Sequence, residues 1–186
     1  MNESLQKALH NYIQDPLNDV YNFDIGFEYH KIGQKAAALS YFLRTAEISH
    51  NPHLSYEAFL LSAQNFRQQG KRDGSTLNQL LHAIALVPSR PEAYFQLSRH
   101  YEETKKWHES FTIAEMGLKM ADLTPPPFRT INAIDYPGKY GLIFQKAVAA
   151  WWIDRPNYSR QLLRGLLNNY VMEDKYVNTC RHNLEK

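Results

Sequence analysis

The stretch YEAFLLSAQNFRQQG (56–70) recurs further along the chain as PEAYFQLSRHYEETK (91–105). Phe59 aligns with Tyr94 when the first stretch is moved by 35 residues. Within each stretch, bulky residues recur three and four positions apart, which places them on one stripe of an α-helix. A repeated unit of this length predicts helix pairs that cover their apolar faces by stacking on one another.

The clearer unit, residues 91–118, shows a fixed order of residue types. A ring is followed by a large and then a small residue, a second ring, a turn, and small residues in a second helix. These positions are Tyr94, Leu97, Ser98, Tyr101, Trp107, Ser110, Ala114, Gly117 and Leu118. The order resembles the tetratricopeptide (TPR) repeat, a pair of antiparallel helices. On this basis we interpret Tyr94, Tyr101 and Trp107 as packing rings.

Looser copies of the same pattern precede and follow the two clear units. We therefore predict an all-α fold, a TPR-like right-handed α-solenoid of about four helix pairs with a C-terminal capping helix. The prediction treats 1–186 as a single TPR-like helical repeat domain. Its repeats lie at about 17–52, 55–88, 91–121 and 138–169, with a loop at 121–137 and the capping helix at 172–184.

The predicted loop, 121–137, interrupts the helical pattern. It contains Pro125, Pro126, Pro127 and Pro137 and has no helical stripe. Consecutive prolines favour an extended, stiff backbone, and a connection of this length is uncommon without a function. We expect a loop packed along the helices; a partner-contact element is the alternative.

The composition argues against several classes of protein. The net charge is only +2 and no run of basic residues forms an arm, so nucleic acid is not an expected partner. The apolar stretch 147–153 is far below the roughly 20 residues of a membrane span. The N-terminus lacks a signal-peptide pattern, and Cys180 is the single cysteine. We expect a soluble, cytoplasmic protein.

No sequence motif for catalysis or cofactor binding is present. HExxH, GxGxxG, GxxxxGK[ST] and GxSxG are all missing, and the eight histidines have no ligand spacing. The adjacent acids Glu102 and Glu103 are interpreted as solvated surface, because neighbours on a helix point to different faces. We therefore predict no metal, no cofactor and no enzyme activity.

The candidate binding residues follow from the positions that line the concave side of a TPR array, mainly on the first helix of each pair. In this sequence those positions hold Phe27, Gln64, Arg67, Phe95, Gln96, Arg99, Lys146 and Trp152. Rings, amides and cations together suit an extended peptide or a carboxylate-bearing segment. The alternative is that Arg67 and Arg99 only pair with neighbouring acids, and the sequence leaves both interpretations open.

A narrower resemblance runs from about residue 20 to the end of the chain, and residues 70–107, 135–169 and 180–186 carry it, with YPGKYG (136–141) as the most distinctive part. These stretches resemble the TPR region attached to family 2 glycosyltransferases of bacteria, marine phages and large viruses. The resemblance implies that this chain has an accessory function beside glycan-modifying machinery and that a glycosyltransferase chain is its partner. It carries over no transferase activity, because the DxD metal motif of those enzymes does not occur in this sequence.

These observations predict a non-catalytic protein–protein interaction or scaffold module that binds a partner segment in its concave groove. One alternative is a detached, non-catalytic portion of a family 2 glycosyltransferase that works with a separate catalytic chain. A second is a structural component of an oligomeric assembly, which leaves a homo-oligomer open.

Overall fold

The computed structural model describes residues 3–126 and 133–185, and these residues form ten α-helices and no strand. The helices are α1 (Glu3–Gln14), α2 (Asp19–Lys31), α3 (Lys35–Ile48), α4 (Pro52–Gln69), α5 (Asp73–Leu86), α6 (Glu92–Glu103), α7 (Trp107–Met120), α8 (Lys139–Trp152), α9 (Pro156–Asn169) and α10 (Asp174–Leu184). The predicted all-α class of helix pairs followed by a final helix is confirmed.

The helices form two compact units, α1 to α5 and α6 to α10. In the first unit, α2 packs on α3, α3 on α4, and α4 on α5. Phe23 and Phe42 are fully buried there, with ring centroids 5.5 Å apart. Helix α1 adds to this unit through Leu5 and Ala8, which pack around Ile25 of α2. That both units act as one domain over 1–186 stays a prediction.

The second unit repeats the same arrangement. Helix α6 packs on α7, α7 on α8, α8 on α9, and α9 on α10, while α6 also contacts α8. Tyr94, Leu142 and Leu163 are almost completely buried in this unit, so the packing interpretation is correct for Tyr94. The final helix buries Tyr176 and Cys180 against α8 and α9, four residues apart as the ring and small residue of a repeat would be.

Left-handed backbone conformations mark the turn inside each helix pair. Positive φ angles occur at Gly33, Gly70, Lys105 and Asp154, with values of 76°, 72°, 59° and 62°. After α6, the Lys106 amide donates to the carbonyl of the residue five positions earlier, at 2.8 Å. This hydrogen bond closes the helix end and reverses the chain, so the second helix of the pair folds back on the first.

One helix begins earlier than the sequence pattern indicated. We expected a helix from about residue 55, with Pro52 between two pairs, yet α4 begins at Pro52. The Asn51 side chain accepts from the His53 and Leu54 amides at 3.0 and 3.4 Å. Asparagine is a favoured N-cap and proline a favoured first helical residue, because its missing N–H would be unpaired there anyway.

Residues 121–126 and 135–137 of the loop belong to the second unit, and several of them contact its first residues. The Asp122 amide donates to the Ser89 carbonyl at 2.8 Å, and Arg90 Nη1 donates to the Pro126 carbonyl at 2.7 Å. On the other side of the interruption, the ring of Tyr136 meets Phe95 edge-on at 5.7 Å between centroids. Residues 127–132 lie outside the described ranges. Before them, Asp122 and Pro126 contact the turn that precedes α6, and after them Tyr136 contacts α6.

Candidate functional site

The second unit contains an open cleft of about 550 Å³ between α6, α8 and α10. Its lining consists of charged residues, rings and small polar side chains from these helices, the turn after α6, the first residue of α7 and the segment before α8. They are Arg99, Glu102, Glu103, Lys105, Trp107, Asp135, Phe144, Gln145, Lys175, Tyr176 and Thr179. The first helices of two consecutive pairs and the final helix therefore share one concave surface.

An arginine with two carboxylate partners forms the α6 side of the cleft. Arg99 Nη1 donates to Asp135 Oδ2, and Arg99 Nε lies 3.4 Å from Glu103 Oε1 one helical turn further on. Asp135 belongs to the segment between α7 and α8, so the ion pair holds that segment at the rim. Exposed ion pairs of this kind contribute at most about 1 kcal/mol to folding.

Glu102 faces the cleft and is only partly exposed. Burial raises the pKa of its carboxyl above the ordinary value, and the neighbouring Glu103 adds to this effect, while a hydrogen bond from Gln145 and the charge of Arg99 oppose it. The prediction that both acids are solvated surface is therefore wrong for Glu102. A carboxylate with a perturbed pKa in a cleft is a common feature of binding and catalytic sites.

The floor of the cleft is formed by Gln145 and two rings. Phe144 and Tyr176 meet edge to face at 5.0 Å between ring centroids, and each is 8% exposed. Gln145 is 4% exposed, and its Oε1 has no hydrogen-bond partner within the described residues. A buried acceptor without a donor costs about 1–3 kcal/mol, and this atom has almost no accessible surface, so the cost falls on the folded chain itself.

Helix α10 supplies a wall of the site in addition to covering the last repeat. It contributes Lys175, Tyr176 and Thr179 to the lining. Lys175 Nζ pairs with Glu173 at 2.8 Å, and the Tyr140 hydroxyl donates to the same carboxylate at 3.2 Å. The predicted capping helix thus lines the cleft in the same way as α6 and α8, the first helices of the two preceding pairs, because its side chains continue the surface that those helices form.

Two tryptophans stand at the edge of the cleft. Trp107 is part of the lining, and its ring stacks on Trp152 at 5.1 Å with 13° between the planes. Trp152 remains 60% exposed. Trp107 was interpreted as packing alone; it does pack, on Trp152, but it also presents surface to the cleft.

The structure distributes the eight predicted groove residues over several places. Phe27, Gln64 and Arg67 lie in the first unit, on α2 and α4, and are half-buried. Phe27 lines a separate groove between α1 and α2, and Lys31 Nζ lies 5.3 Å from its ring centroid. Whether these three residues contact a partner stays a prediction.

Of the five predicted residues in the second unit, Arg99 lines the cleft. Phe95 is fully buried and Gln96 is 5% exposed, so neither offers surface to a partner. Lys146 is also buried and points towards the rings of Phe111 and Tyr158, with its Nζ 5.3 Å from each centroid. Trp152 supports Trp107 from outside the lining and borders a smaller pocket beside α9.

The sequence rule for concave positions did point to part of the actual lining. When Pro91 is counted as position 1 of its repeat, the concave positions of α6 include positions 12 and 13, which are Glu102 and Glu103. Applied to α8, the same rule selects Gln145 at the position that Phe95 holds one unit earlier. Glu102 and Glu103 were not predicted as groove residues because acids on a helix surface are usually solvated, and Gln145 was not predicted although Gln64 and Gln96 were.

Other reactive groups offer no second site. Cys180 is fully buried, and burial raises the pKa of its thiol to about 11. Across residues 3–126 and 133–185, no group of three His, Cys, Asp or Glu side chains is placed to hold a metal ion. Within the same ranges, no helix combines the length and the apolar character that a membrane span requires.

Comparison with known proteins identifies the fold. No family profile matches the chain, and no curated protein is similar in sequence. Two crystal structures of MamA are similar, with TM-scores of 0.67 and 0.69 at 16% and 15% identity; each alignment covers 88% of this chain and 79% or 85% of MamA. The TPR-like repeats of a Podosopora anserina protein named as a kinesin light chain align with a TM-score of 0.57 at 15% identity, over 88% of this chain and 82% of that protein.

The fold is therefore that of a TPR-like helical repeat protein. At 15–16% identity these similarities concern the backbone fold only. The cleft is therefore described from the structure of this chain alone. The predicted TPR-like class is confirmed, while the narrower resemblance to glycosyltransferase-attached repeats has no counterpart among these structures.

Proposed function

We propose that this protein is a non-catalytic interaction module that binds an extended protein segment in the cleft between α6, α8 and α10. The observation that carries the proposal is the open, 550 Å³ concavity, lined by acids, bases and rings from several helices. Stacked helix pairs commonly expose such concave surfaces to partners. The TPR-like fold of the similar structures supports this class of function.

A polypeptide segment suits this lining better than a small metabolite does. An extended segment offers amide donors and carbonyl acceptors along its length, together with side chains that project in alternate directions. The cleft presents acids, bases and rings over one continuous surface, and its openness on one side leaves room for a chain to enter and leave.

Blocking the cleft without disturbing the core tests the proposal. Thr179 is exposed on α10 and lines the cleft, so Thr179→Trp places a bulky ring in the binding volume. Thr112→Trp is the matched control, because Thr112 is exposed on α7, outside the lining. Both hydroxyls make the same bond, to the carbonyl four residues earlier, at 2.7 and 2.8 Å.

The assay is selection of random 12-residue peptides on immobilised full-length protein, followed by affinity measurement for the enriched sequences. We expect enriched peptides to bind the unmodified chain and Thr112→Trp equally, and to bind Thr179→Trp at least about tenfold more weakly. Failure to enrich any sequence, or equal binding by all three proteins, would show that the cleft is not a peptide site.

The non-catalytic part of the proposal has its own test. The chain is incubated with nucleotide sugars and glycan acceptors, and product is measured by mass spectrometry. No turnover is expected, because the buried Cys180 thiol is not a nucleophile at neutral pH and the cleft acids Glu103 and Asp135 pair with Arg99. Appreciable product formation would overturn this part.

An accessory function beside a glycosyltransferase is a narrower proposal, supported by the sequence resemblance from about residue 20 to the end of the chain. Its test is co-purification of the chain with a DxD-bearing catalytic chain. The structural alternative, a homo-oligomer, is tested by the mass measured in size-exclusion chromatography with light scattering. A cytoplasmic location stays a prediction, tested by fractionating cells that express the protein.

A further inference from the structure

We propose that the partner segment recognised by the cleft is proline-rich, and that it packs in a polyproline II conformation on the stacked indoles of Trp107 and Trp152. This inference rests on the proposed function and specifies the chemistry of its ligand. The indole pair carries it, because the pair offers open ring surface together with an unused hydrogen-bond donor.

The open ring of Trp152 supplies the first argument. Among the tryptophans, phenylalanines and tyrosines of residues 3–126 and 133–185, it is the one exposed side chain. Its ring stacks on Trp107 with 5.1 Å between centroids and 13° between planes, which covers one face. Because Trp152 is still 60% exposed, its other face and its rim are open to solvent.

The position of the pair connects this ring to the cleft. Trp107 belongs to the cleft lining and contacts Trp152 directly, so a segment that leaves the cleft past Trp107 meets the open ring next. Each indole restrains the other through the stacking contact. The surface is therefore ordered before a ligand arrives, which lowers the entropy lost on binding.

Trp107 also supplies a hydrogen-bond donor that the fold leaves unused. Its Nε1–H donates to no acceptor within the described ranges, and the nitrogen is not among the buried atoms that lack a partner there. The donor is therefore within reach of a ligand. Indole has an N–H donor and no acceptor, so the group that completes it is an acceptor such as a backbone carbonyl.

The charges of the lining balance and favour a neutral segment. Three cations and three carboxylates line the cleft, namely Arg99, Lys105, Lys175, Glu102, Glu103 and Asp135. Arg99 pairs with Asp135 and Glu103, and Lys175 pairs with Glu173 at 2.8 Å. A charged segment of either sign would have to compete with ion pairs that already exist, whereas a neutral segment needs no charge partner.

Two other common modes of peptide binding do not fit this site. Addition of a strand requires an exposed sheet edge, and the described part of the chain contains no strand. Binding of an amphipathic helix requires a continuous apolar groove, whereas charged side chains from α6 and α10 interrupt the rings of this cleft. A helix also bonds its own carbonyls internally, so they are not available to Trp107.

A polyproline II segment meets each of these conditions. It has no internal hydrogen bonds, so its carbonyls remain acceptors, and proline has no N–H that would be left unpaired against the rings. Proline-rich segments bind to grooves lined with aromatic rings, where the apolar pyrrolidine ring packs on an indole face. The fixed φ of proline also reduces the conformational freedom that such a segment loses.

The test uses the full-length, ¹⁵N-labelled chain and two synthetic probes. One is acetyl-hexaproline amide, and the other is a Gly-Ser peptide of equal length, which is neutral but has no proline ring. The chain has three tryptophans, and their indole N–H signals are assigned from the variants Trp107→Phe, Trp151→Phe and Trp152→Phe. We expect hexaproline to cause saturable shifts of the Trp107 and Trp152 signals and the Gly-Ser peptide to cause none.

Three variants separate the ring contact from the hydrogen bond. Trp152→Ala removes the open ring, and Met120→Ala removes a similarly exposed apolar side chain, at 58%, on α7 outside the lining. We expect hexaproline binding to weaken about tenfold or more in Trp152→Ala and less than about twofold in Met120→Ala. Trp107→Phe keeps a ring but removes the N–H donor, and should weaken binding about three- to tenfold. Thermal denaturation checks that all three variants fold.

Three outcomes would overturn the inference. The first is equal shifts with the Gly-Ser peptide, or equal hexaproline affinity in Trp152→Ala and the unmodified chain. The second is tighter binding of Nα-acetyl-arginine methylamide than of hexaproline, which would make the open ring a cation platform. The third is a dimer in light scattering that Trp152→Ala converts to a monomer, because a second copy of this chain would then occupy the surface in place of a separate partner.

The peptide selection distinguishes this inference from the proposed function. Enriched peptides that depend on the cleft and require proline would support both. Cleft-dependent peptides without a required proline would overturn the inference and leave the proposed function standing. If no enriched peptide depends on the cleft, the proposed function fails, and the proline site fails with it as a site of partner recognition.

Discussion

Replacing Gly117 by alanine should destabilise the second unit, although alanine is the better helix former. Gly117 lies in α7, where a Cβ atom would meet Tyr94 Cβ at 2.7 Å and Leu142 Cδ2 at 3.2 Å. Tyr94 is fully buried in α6, and its Cβ is fixed to the backbone, so no side-chain rotation relieves the contact. Helices α6 and α7 would have to move apart.

The expected size of the effect follows from two opposing terms. Alanine improves helix propensity over glycine by up to about 1 kcal/mol, whereas forcing an extra methyl group into a packed core costs about 1–3 kcal/mol. The contact at 2.7 Å lies well below the ordinary range, which begins at 3.4 Å, so the steric term should prevail. We expect a net loss of about 1–2 kcal/mol.

Gly165 provides a matched control in α9. Both helices have 14 residues, and both glycines lie near the C-terminal end, but a Cβ at Gly165 meets no atom within 4 Å. Gly165→Ala should therefore gain up to about 1 kcal/mol from propensity alone. In thermal denaturation the two variants should shift the midpoint in opposite directions, by about 2–4 °C per kcal/mol. Equal stabilisation by both would refute the close approach of α6 and α7.

Three further predictions concern charge and backbone strain. The buried pair Arg90–Glu92, with its Nη2–Oε1 distance of 2.5 Å, makes Glu92→Gln strongly destabilising, by about 3–5 kcal/mol in urea denaturation; a loss below about 1 kcal/mol would contradict the burial of the pair. Asp154, at φ 62°, should tolerate glycine with a gain of about 0.5–1 kcal/mol, and a loss of stability would contradict the left-handed conformation. Because burial raises the pKa of Glu102 above 4.5, its contribution to stability is full at low pH and is lost as the pH rises through the folded-state pKa. Glu102→Gln should therefore match the unmodified chain at acidic pH and exceed it progressively above about pH 4.5; parallel pH profiles would contradict the shift.

The internal repeat was the part of the fold that the sequence predicted well. The alignment of Phe59 with Tyr94 placed rings and small residues at spacings that leave a helix pair few alternatives. Tyr94, Leu97 and Ser98 are fully buried, as this pattern predicts, whereas Phe59 is half-buried. Helix starts were predicted less well where local capping decided them. Asn51 and Pro52 begin α4 ahead of the apolar stripe, because an N-cap hydrogen bond depends on individual atoms and not on periodicity.

The candidate site shows why the binding residues could not be predicted from the sequence alone. Arg99 was the one predicted residue that lines the cleft, while Phe95 and Lys146, chosen by the same rule, are buried. A helical position identifies a face, but the neighbour that covers this face depends on contacts between residues far apart in the chain. Tyr136 packs on Phe95, and Asp135 pairs with Arg99. No local sequence pattern in loop 121–137 predicts either contact.

The sequence by itself determined that this protein is built from helix pairs, because a hydrophobic stripe with small residues at fixed spacing is a local property of the chain. Only the tertiary structure decided which side chains form the cleft. The raised pKa of Glu102 and the unpartnered Oε1 of Gln145 depend on the burial that α6 and α8 create together, and this burial arises only when separate helices pack.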